Sequence, residues 1–140
     1  MTVCLDTNVL IQARSKKHPY HPILRGCVLG SMQWAVSTRI LNEYREMIVA
    51  LNDEGAWRRV EALLNMVEAG GTLIHVSPYY QFHILTSDAD DNAFTDCAIT
   101  AHADYVITDD RHFAPLAGAG YKPQPVRPLA FMQRYRDIYV

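Results

Sequence analysis

Short apolar runs alternate along this chain with longer segments that have the spacing of amphipathic helices. Residues 2–5, 34–37, 72–76 and 105–108 are mostly apolar runs with the length of buried strands. Helices are predicted between them, and the clearest has an apolar stripe formed by Ile40, Tyr44, Met47, Ile48 and Leu51. Strands that alternate with helices predict an α/β fold built on a parallel sheet.

Weaker patterns complete the assignment. A second helix is predicted over residues 22–32, where the apolar positions are near helical spacing. The proline- and glycine-rich tail is expected to be irregular, with one edge strand near Val126 and a short helix over residues 129–135. Because the chain has no internal repeat or linker-like stretch, we expect residues 1–140 to form a single domain.

Composition narrows the class of protein without identifying it. The chain has 140 residues, of which 49% are hydrophobic and 20% charged, which is typical of a globular protein. The N-terminal sequence has no basic segment followed by an apolar stretch, so a secretory signal is not expected. Cys4, Cys27 and Cys97 are odd in number and far apart, which favours buried thiols in a reducing cytoplasm over disulfides or a zinc site.

The charges are unevenly distributed. Residues 60–110 contain no Lys or Arg but hold most of the acidic residues, whereas the rest of the chain is basic. One interpretation is a solvated acidic face without a special role. The other is an acidic pocket that needs a multivalent cation, surrounded by a basic surface that holds a polyanion. The charge pattern alone does not decide between the two.

Four acidic residues from separate segments are predicted to meet at one edge of the sheet. Each either follows a predicted strand or lies about one turn into a helix beside that edge: Asp6, Glu43, Asp96 and Asp110. Ligands of open parallel sheets bind beyond the carboxyl ends of the strands. Each acid also has a structural explanation, as a helix cap, an exposed helical position, a first-turn acid or a turn residue.

Clustered carboxylates repel one another unless something neutralises them. No Lys or Arg lies near Asp96 or Asp110 on the N-terminal side, so local ion pairs are not available there. Hard divalent cations such as Mg²⁺ and Mn²⁺ prefer oxygen ligands. An Asp and Glu cluster of this kind is typical of metal-assisted phosphoryl chemistry.

Four pieces of the sequence together resemble the PIN domain, a family of small Mg²⁺- or Mn²⁺-dependent ribonucleases. They are residues 5–10, 37–44, 88–98 and 103–113, and their order and spacing are those of the family. The similarity extends from residue 2 to about residue 113 and includes a resemblance to toxin components of toxin–antitoxin pairs that are related to VapC-type toxins. The resemblance implies a three-layer α/β/α sandwich around a short parallel sheet.

The resemblance also implies an activity and a set of site residues. Carried over by position, the catalytic and metal-binding acids are Asp6, Glu43, Asp96 and Asp110. The cofactor would be Mg²⁺ or Mn²⁺, and the reaction the hydrolysis of RNA phosphodiester bonds. The implied partners are the RNA substrate, a cognate antitoxin protein that blocks the acidic groove, and a second copy of the chain in a homodimer.

Four further residues are accessory in this comparison. Asp91 is implied as an additional acid near the edge, and Asn8 and Thr108 as residues that orient ligands or water. Asp109 departs from the family pattern, which usually has a small or basic residue before Asp110. This departure leaves open which of the two consecutive aspartates faces the metal.

Other classes of protein fit less well. No dinucleotide-binding or Walker glycine loop is present. A receiver domain requires a Lys after a late strand, and no Lys lies between Arg59 and Arg111. Basic residues at 14, 16, 17, 39 and 45 are candidates for RNA contacts or for ordinary solvated surface. The main alternative is a catalytically silent PIN scaffold that binds RNA or a protein partner. Retention of all four acid positions favours the nuclease.

Overall fold

A computed structural model describes residues 1–51, 54–78, 92–117 and 120–139. Five strands run along the chain in this order: β1 Thr2–Leu5, β2 Gln33–Val36, β3 Leu73–His75, β4 Tyr105–Ile107 and β5 Gln124–Val126. The helices are α1 Thr7–Ala13, α2 His21–Val28, α3 Thr38–Ala50, α4 Glu54–Ala69, α5 Asn92–Thr100, α6 Ala114–Ala117 and α7 Pro128–Arg134. Short 3₁₀ segments span Arg111–Phe113 and Arg136–Tyr139.

The five strands form one parallel sheet in the order β3-β2-β1-β4-β5. All four residues of the central strand β1 are buried, although successive side chains of a strand point to opposite faces. Helices therefore cover both faces of the sheet, as the interior of an α/β sandwich requires. The predicted α/β fold with a three-layer arrangement is confirmed.

The strand order creates a crevice between β1 and β4. The chain leaves β1 toward β2 on one side, and it leaves β4 toward β5 on the other. These two strands are hydrogen-bonded neighbours, with Leu5 paired to Ile107 in register. The connections therefore diverge at the carboxyl ends of β1 and β4, which is the topological switch point where ligands of such sheets bind.

Helix α3 begins directly after β2 at this same edge. Ser37 is extended and accepts a hydrogen bond on its hydroxyl from the Ile40 N–H at 3.3 Å, which caps the helix. The inner face of α3 then buries Ile40, Tyr44 and Ile48 at the spacing that the sequence predicts. The cap and this apolar stripe together fix where the helix starts and which face it buries.

The four predicted strands and the edge strand near Val126 are confirmed. The predicted helix over 22–32 is wrong at its end, because α2 ends at Val28. Gly30 has a positive φ of 80°, and the chain turns there so that Met32 enters the core ahead of β2. The tail is also less irregular than expected, since it contains α6.

The buried thiols expected from the cysteine spacing are observed. Cys4, Cys27 and Cys97 are all buried free thiols. In the part of the chain that the structure describes, no helix is long and apolar enough to cross a membrane.

Candidate active site

Asp6 lies at the centre of the carboxyl edge. It directly follows β1, and its N–H donates to the Ile107 carbonyl at 3.1 Å, so it continues the pairing with β4. It stands at the N-cap position of α1, but its side chain forms no capping hydrogen bond. Only 5% of the residue is exposed. The structure therefore places a buried carboxylate at the switch point.

Thr108 connects Asp6 to Asp110. Its hydroxyl donates to Asp6 Oδ2 at 2.7 Å and accepts from the Asp110 N–H at 2.9 Å. Asp110 Oδ1 in turn accepts from the His112 N–H at 2.9 Å and caps the 3₁₀ segment that follows. One buried hydroxyl thus fixes the backbone of Asp110 relative to the carboxylate of Asp6. The implied role of Thr108 in orienting ligands or water stays a prediction.

The surroundings of Asp6 shift the pKa of its carboxyl group. Burial raises the pKa of Asp6 most, and the negative charge of Asp110 raises it further. The Thr108 hydroxyl and the nearby N–H groups of Thr7 and Asn8 lower the pKa, but the net shift is upward from 3.8. None of the ion pairs found among the described residues includes Asp6.

Glu43 approaches the same edge from α3. The Thr7 hydroxyl, on the first residue of α1, donates to Glu43 Oε2 at 2.9 Å. The next residue on α3, Tyr44, is fully buried, and its hydroxyl donates to the Leu5 carbonyl at 2.5 Å. Two hydrogen bonds therefore join α3 to the residues on either side of Asp6.

Asp96 lies on α5 and is buried, with 5% of the residue exposed. It borders a cavity of about 230 Å³ together with Ser37, Arg39 and Ala93. Arg39 and Ala93 also line the neighbouring cavity that contains Glu43. Asp96 is therefore on the α3 side of the edge, one cavity away from Glu43.

The two consecutive aspartates after β4 have different surroundings. Asp109 Oδ2 accepts from the Tyr20 hydroxyl at 2.9 Å, and Asp109 Oδ1 lies 3.8 Å from a guanidinium nitrogen of Arg127. Asp110 is the one whose charge acts on Asp6. The structure thus brings Asp110 to the predicted site and turns Asp109 toward α2 and β5.

The remaining predicted residues have varied outcomes. Asn8 is exposed on the first turn of α1. Asp91 lies outside the described residues. Sequence reasoning gave no role to Thr7 or Tyr20, because a single hydroxyl that contacts an acid far along the chain leaves no spacing signal.

The donor chemistry of this edge fits a hard divalent cation. Asp6, Asp110 and Thr108 offer only oxygen atoms, which Mg²⁺ and Mn²⁺ prefer, and a cation there would offset the repulsion between the carboxylates. Among the described residues, however, no group of three or more His, Cys, Asp or Glu side chains is close enough to hold a metal ion. The described side chains therefore supply a carboxylate pair and its hydrogen-bond partner.

Comparison with known proteins agrees with this geometry. A family model described as PIN domain matches residues 2–112, a segment that includes all four predicted acids. No curated protein and no solved structure matches the chain. PIN domains are generally nucleases that use divalent metals, and the parallel sheet with its acidic carboxyl edge is a nuclease-type fold of that kind. The chain belongs to the PIN domain family.

Proposed function

We propose that this protein is a Mg²⁺- or Mn²⁺-dependent ribonuclease that hydrolyses RNA phosphodiester bonds. The observation that carries the proposal is the buried Asp6 carboxylate at the switch point, destabilised by burial and by the charge of Asp110. A protein rarely keeps such a charge without a partner, and perturbed carboxylates cluster at functional sites.

The chain's own residues have distinct roles in this proposal. Asp6 and Asp110 hold the cation, and Thr108 fixes their relative position through its two hydrogen bonds. Glu43, held by Thr7, and Asp96 act from the α3 side, where they contribute further acidic oxygen atoms when RNA is bound. The bound cation supplies Lewis-acid activation of a water molecule and stabilises charge on the attacked phosphate.

A cleavage assay with matched variants tests the proposal. Purified protein is incubated with single-stranded RNA in Mg²⁺, in Mn²⁺ and in EDTA. We expect cleavage only with metal, and a loss of about 10³-fold in Asp6→Asn, since that change removes a charged ligand and retains the side-chain shape. Asp104→Asn, an aspartate at the opposite edge, is the control and should stay active. A fully active Asp6→Asn protein would refute the assignment.

We further propose that the ribonuclease is the cytoplasmic toxin of a toxin–antitoxin pair and forms a homodimer. The resemblance of residues 88–98 and 103–113 to VapC-type toxins supports this role. Expression of the wild-type chain in bacteria should arrest growth, and expression of Asp6→Asn should not. Co-expression of a small protein encoded next to this gene should restore growth and copurify, and light scattering on the purified chain measures the dimer.

A second function, a catalytically silent PIN scaffold that binds RNA or a protein partner, is favoured by one observation. The described side chains do not form a group of three or more metal ligands. The same assay separates the two functions, because a scaffold binds RNA but leaves it intact in both metals. Retention of the carboxylates at positions 6, 43, 96 and 110 favours the nuclease.

A further inference from the structure

A separate cavity of about 230 Å³ opens at the carboxyl edge on the β4–β5 side of Asp110. Its charged lining consists of Asp109, Asp110, Arg111 and Arg127, and Val126 and Pro125 of β5 form part of its apolar wall. It is distinct from the cavities that contain Glu43 and Asp96, which lie on the α3 side. The candidate active site is thus flanked on this side by a pocket whose lining includes two arginines.

The Asp109 carboxylate does not give this cavity a net negative charge, because two arginines also line it. Its two carboxylate oxygens face different partners, the Tyr20 hydroxyl at 2.9 Å and the Arg127 guanidinium at 3.8 Å. Burial and the Asp109 carboxylate raise the pKa of Tyr20, so its hydroxyl stays protonated and donates. Asp109 is therefore held in place from the α2 side and directs its second oxygen toward Arg127.

The two arginines are available to a polyanion. Arg127 is 70% exposed along its side chain, and Arg111 is exposed and takes part in none of the ion pairs found among the described residues. Guanidinium groups bind phosphate through paired N–H donors, which suits them to the backbone of RNA. Arg111 directly follows Asp110, so the pocket borders one of the two acids proposed to hold the cation.

We propose that this pocket is a subsite for the RNA phosphate next to the scissile one. Arg111 and Arg127 bind that phosphate, and Asp109 is a positioning residue that holds Arg127 toward the pocket while Tyr20 holds Asp109. The inference rests on the proposed function, because it takes the substrate to be RNA. It assigns a role to Asp109, whose acidic side chain the family pattern leaves unexplained.

Salt-dependent binding tests the subsite without cleavage. A fluorescent single-stranded RNA is titrated with the Asp6→Asn protein at several salt concentrations, without divalent metal. Loss of one phosphate contact should reduce the slope of log Kobs against log salt by about 0.7. We expect that reduction when Arg127→Gln is added to the Asp6→Asn protein. When Arg127→Lys is added instead, the slope should equal that of the Asp6→Asn protein. Arg134→Gln is the matched control, because Arg134 donates to Tyr105 at the opposite end of β4.

Steady-state kinetics of the active protein test the positioning role. Tyr20→Phe keeps the ring and the net charge but removes the hydroxyl that holds Asp109. We expect a rise in KM of about three- to tenfold for Arg127→Gln, a smaller rise for Tyr20→Phe, and little change in kcat for either. A purely structural role of Tyr20 would instead lower the melting temperature and leave KM unchanged.

The outcomes distinguish the subsite from the nuclease itself. If the wild-type protein cleaves RNA and Arg127→Gln has the same salt slope as Arg134→Gln, the subsite is wrong and the nuclease stands. If the wild-type protein cleaves no RNA but Arg127→Gln reduces the slope, the pocket stands as an RNA contact and the nuclease is wrong. An unchanged KM in Arg127→Gln also overturns the subsite.

Discussion

The two edges of the sheet each hold an aspartate, and their surroundings shift its pKa in opposite directions. At the amino edge, Asp104 precedes β4, accepts from the Thr2 N–H at 3.0 Å and lies 2.5 Å from the Lys122 ammonium. Burial raises the pKa of Asp104, but Lys122 and Thr2 outweigh it, so the net shift is downward from 3.8. At the carboxyl edge, burial and the nearby Asp110 shift the pKa of Asp6 upward.

The difference separates a charge that stabilises the fold from one that does not. Asp104 forms an ion pair with Lys122 of the same chain, so its ionised form stabilises the fold. Asp6 has a hydroxyl partner and a like charge nearby, so its ionised form opposes folding. The same residue type thus stabilises the fold when ionised at one edge and opposes folding when ionised at the other.

The largest effect that tests this comparison concerns Thr108. Thr108→Val keeps the shape and removes the hydroxyl that joins Asp6 to Asp110, so RNA cleavage should fall about 100-fold. Thr108→Ser should retain most of the activity, because it keeps the hydroxyl. Thr95→Val is the control, since the buried Thr95 hydroxyl has no hydrogen-bond partner among the described residues. Equal activity of Thr108→Val and Thr95→Val would contradict the assigned role.

The next effect is stabilisation by metal. Because a cation binds the folded form and removes repulsion, millimolar Mn²⁺ should raise the melting temperature of the wild-type protein by several degrees. Asp104→Asn should show the same rise, and Asp6→Asn should show little or none. Differential scanning fluorimetry with and without Mn²⁺ measures these shifts. An unchanged wild-type melting curve would show that the carboxylate pair is not a preformed site.

The two aspartates should also give opposite pH dependence in EDTA. The folded pKa of Asp6 is raised, so the stability associated with its protonated form is present below pH 3.8 and is lost as pH rises through the folded pKa. Asp6→Asn should therefore melt a few degrees above the wild type at pH 7, and the gap should shrink toward pH 4. Thermal melts across this range measure the gap, and an Asp6→Asn protein that melts lower at pH 7 would contradict the sign.

The contribution of Asp104 to stability changes with pH in the opposite direction. Its folded pKa is lowered, so its stabilising effect is present above pH 3.8 and is lost as pH falls through the folded pKa. Asp104→Asn should melt below the wild type at pH 7 and converge with it in acid. The same series of melts provides the test, and parallel curves for the two variants would remove the distinction between the edges.

The smallest effect concerns Lys122, whose ammonium is exposed. Lys122→Met should lower the melting temperature less than Asp104→Asn, because the Thr2 N–H still binds Asp104. The loss of melting temperature caused by Lys122→Met should disappear in 1 M NaCl, which screens exposed charges. A large salt-independent loss would instead indicate a packing role for the Lys122 stem.

Sequence reasoning was most successful where a local pattern determines the outcome. The strand that ends before Asp6 and the strand predicted over residues 105–108 are apolar runs with a clear end, and the structure confirms both, the second ending one residue earlier at Ile107. Parallel pairing then follows from the alternation of strands and helices. The strand order does not, so the switch point between β1 and β4 could not be read from the sequence.

Contacts between side chains that are far apart in the sequence could not be predicted, for a related reason. Thr7 and Glu43 are 36 residues apart, and Tyr20 and Asp109 are 89 apart, so neither pair leaves a periodic signal. The choice between Asp109 and Asp110 needed these contacts, because adjacent residues point in different directions. The sequence therefore predicted which segments reach the edge, and the structure was needed to show which side chains meet there.

The Tyr44 hydroxyl that donates to the Leu5 carbonyl has a consequence for how the edge responds to strain. Leu5 immediately precedes Asp6, and Tyr44 immediately follows Glu43, so a fully buried phenol couples the backbone positions of two acids on different elements. Relative displacement of β1 and α3 would break that hydrogen bond inside the core. Preorganisation of these two acids is thus enforced from the interior of the protein, where solvent and ligands do not reach.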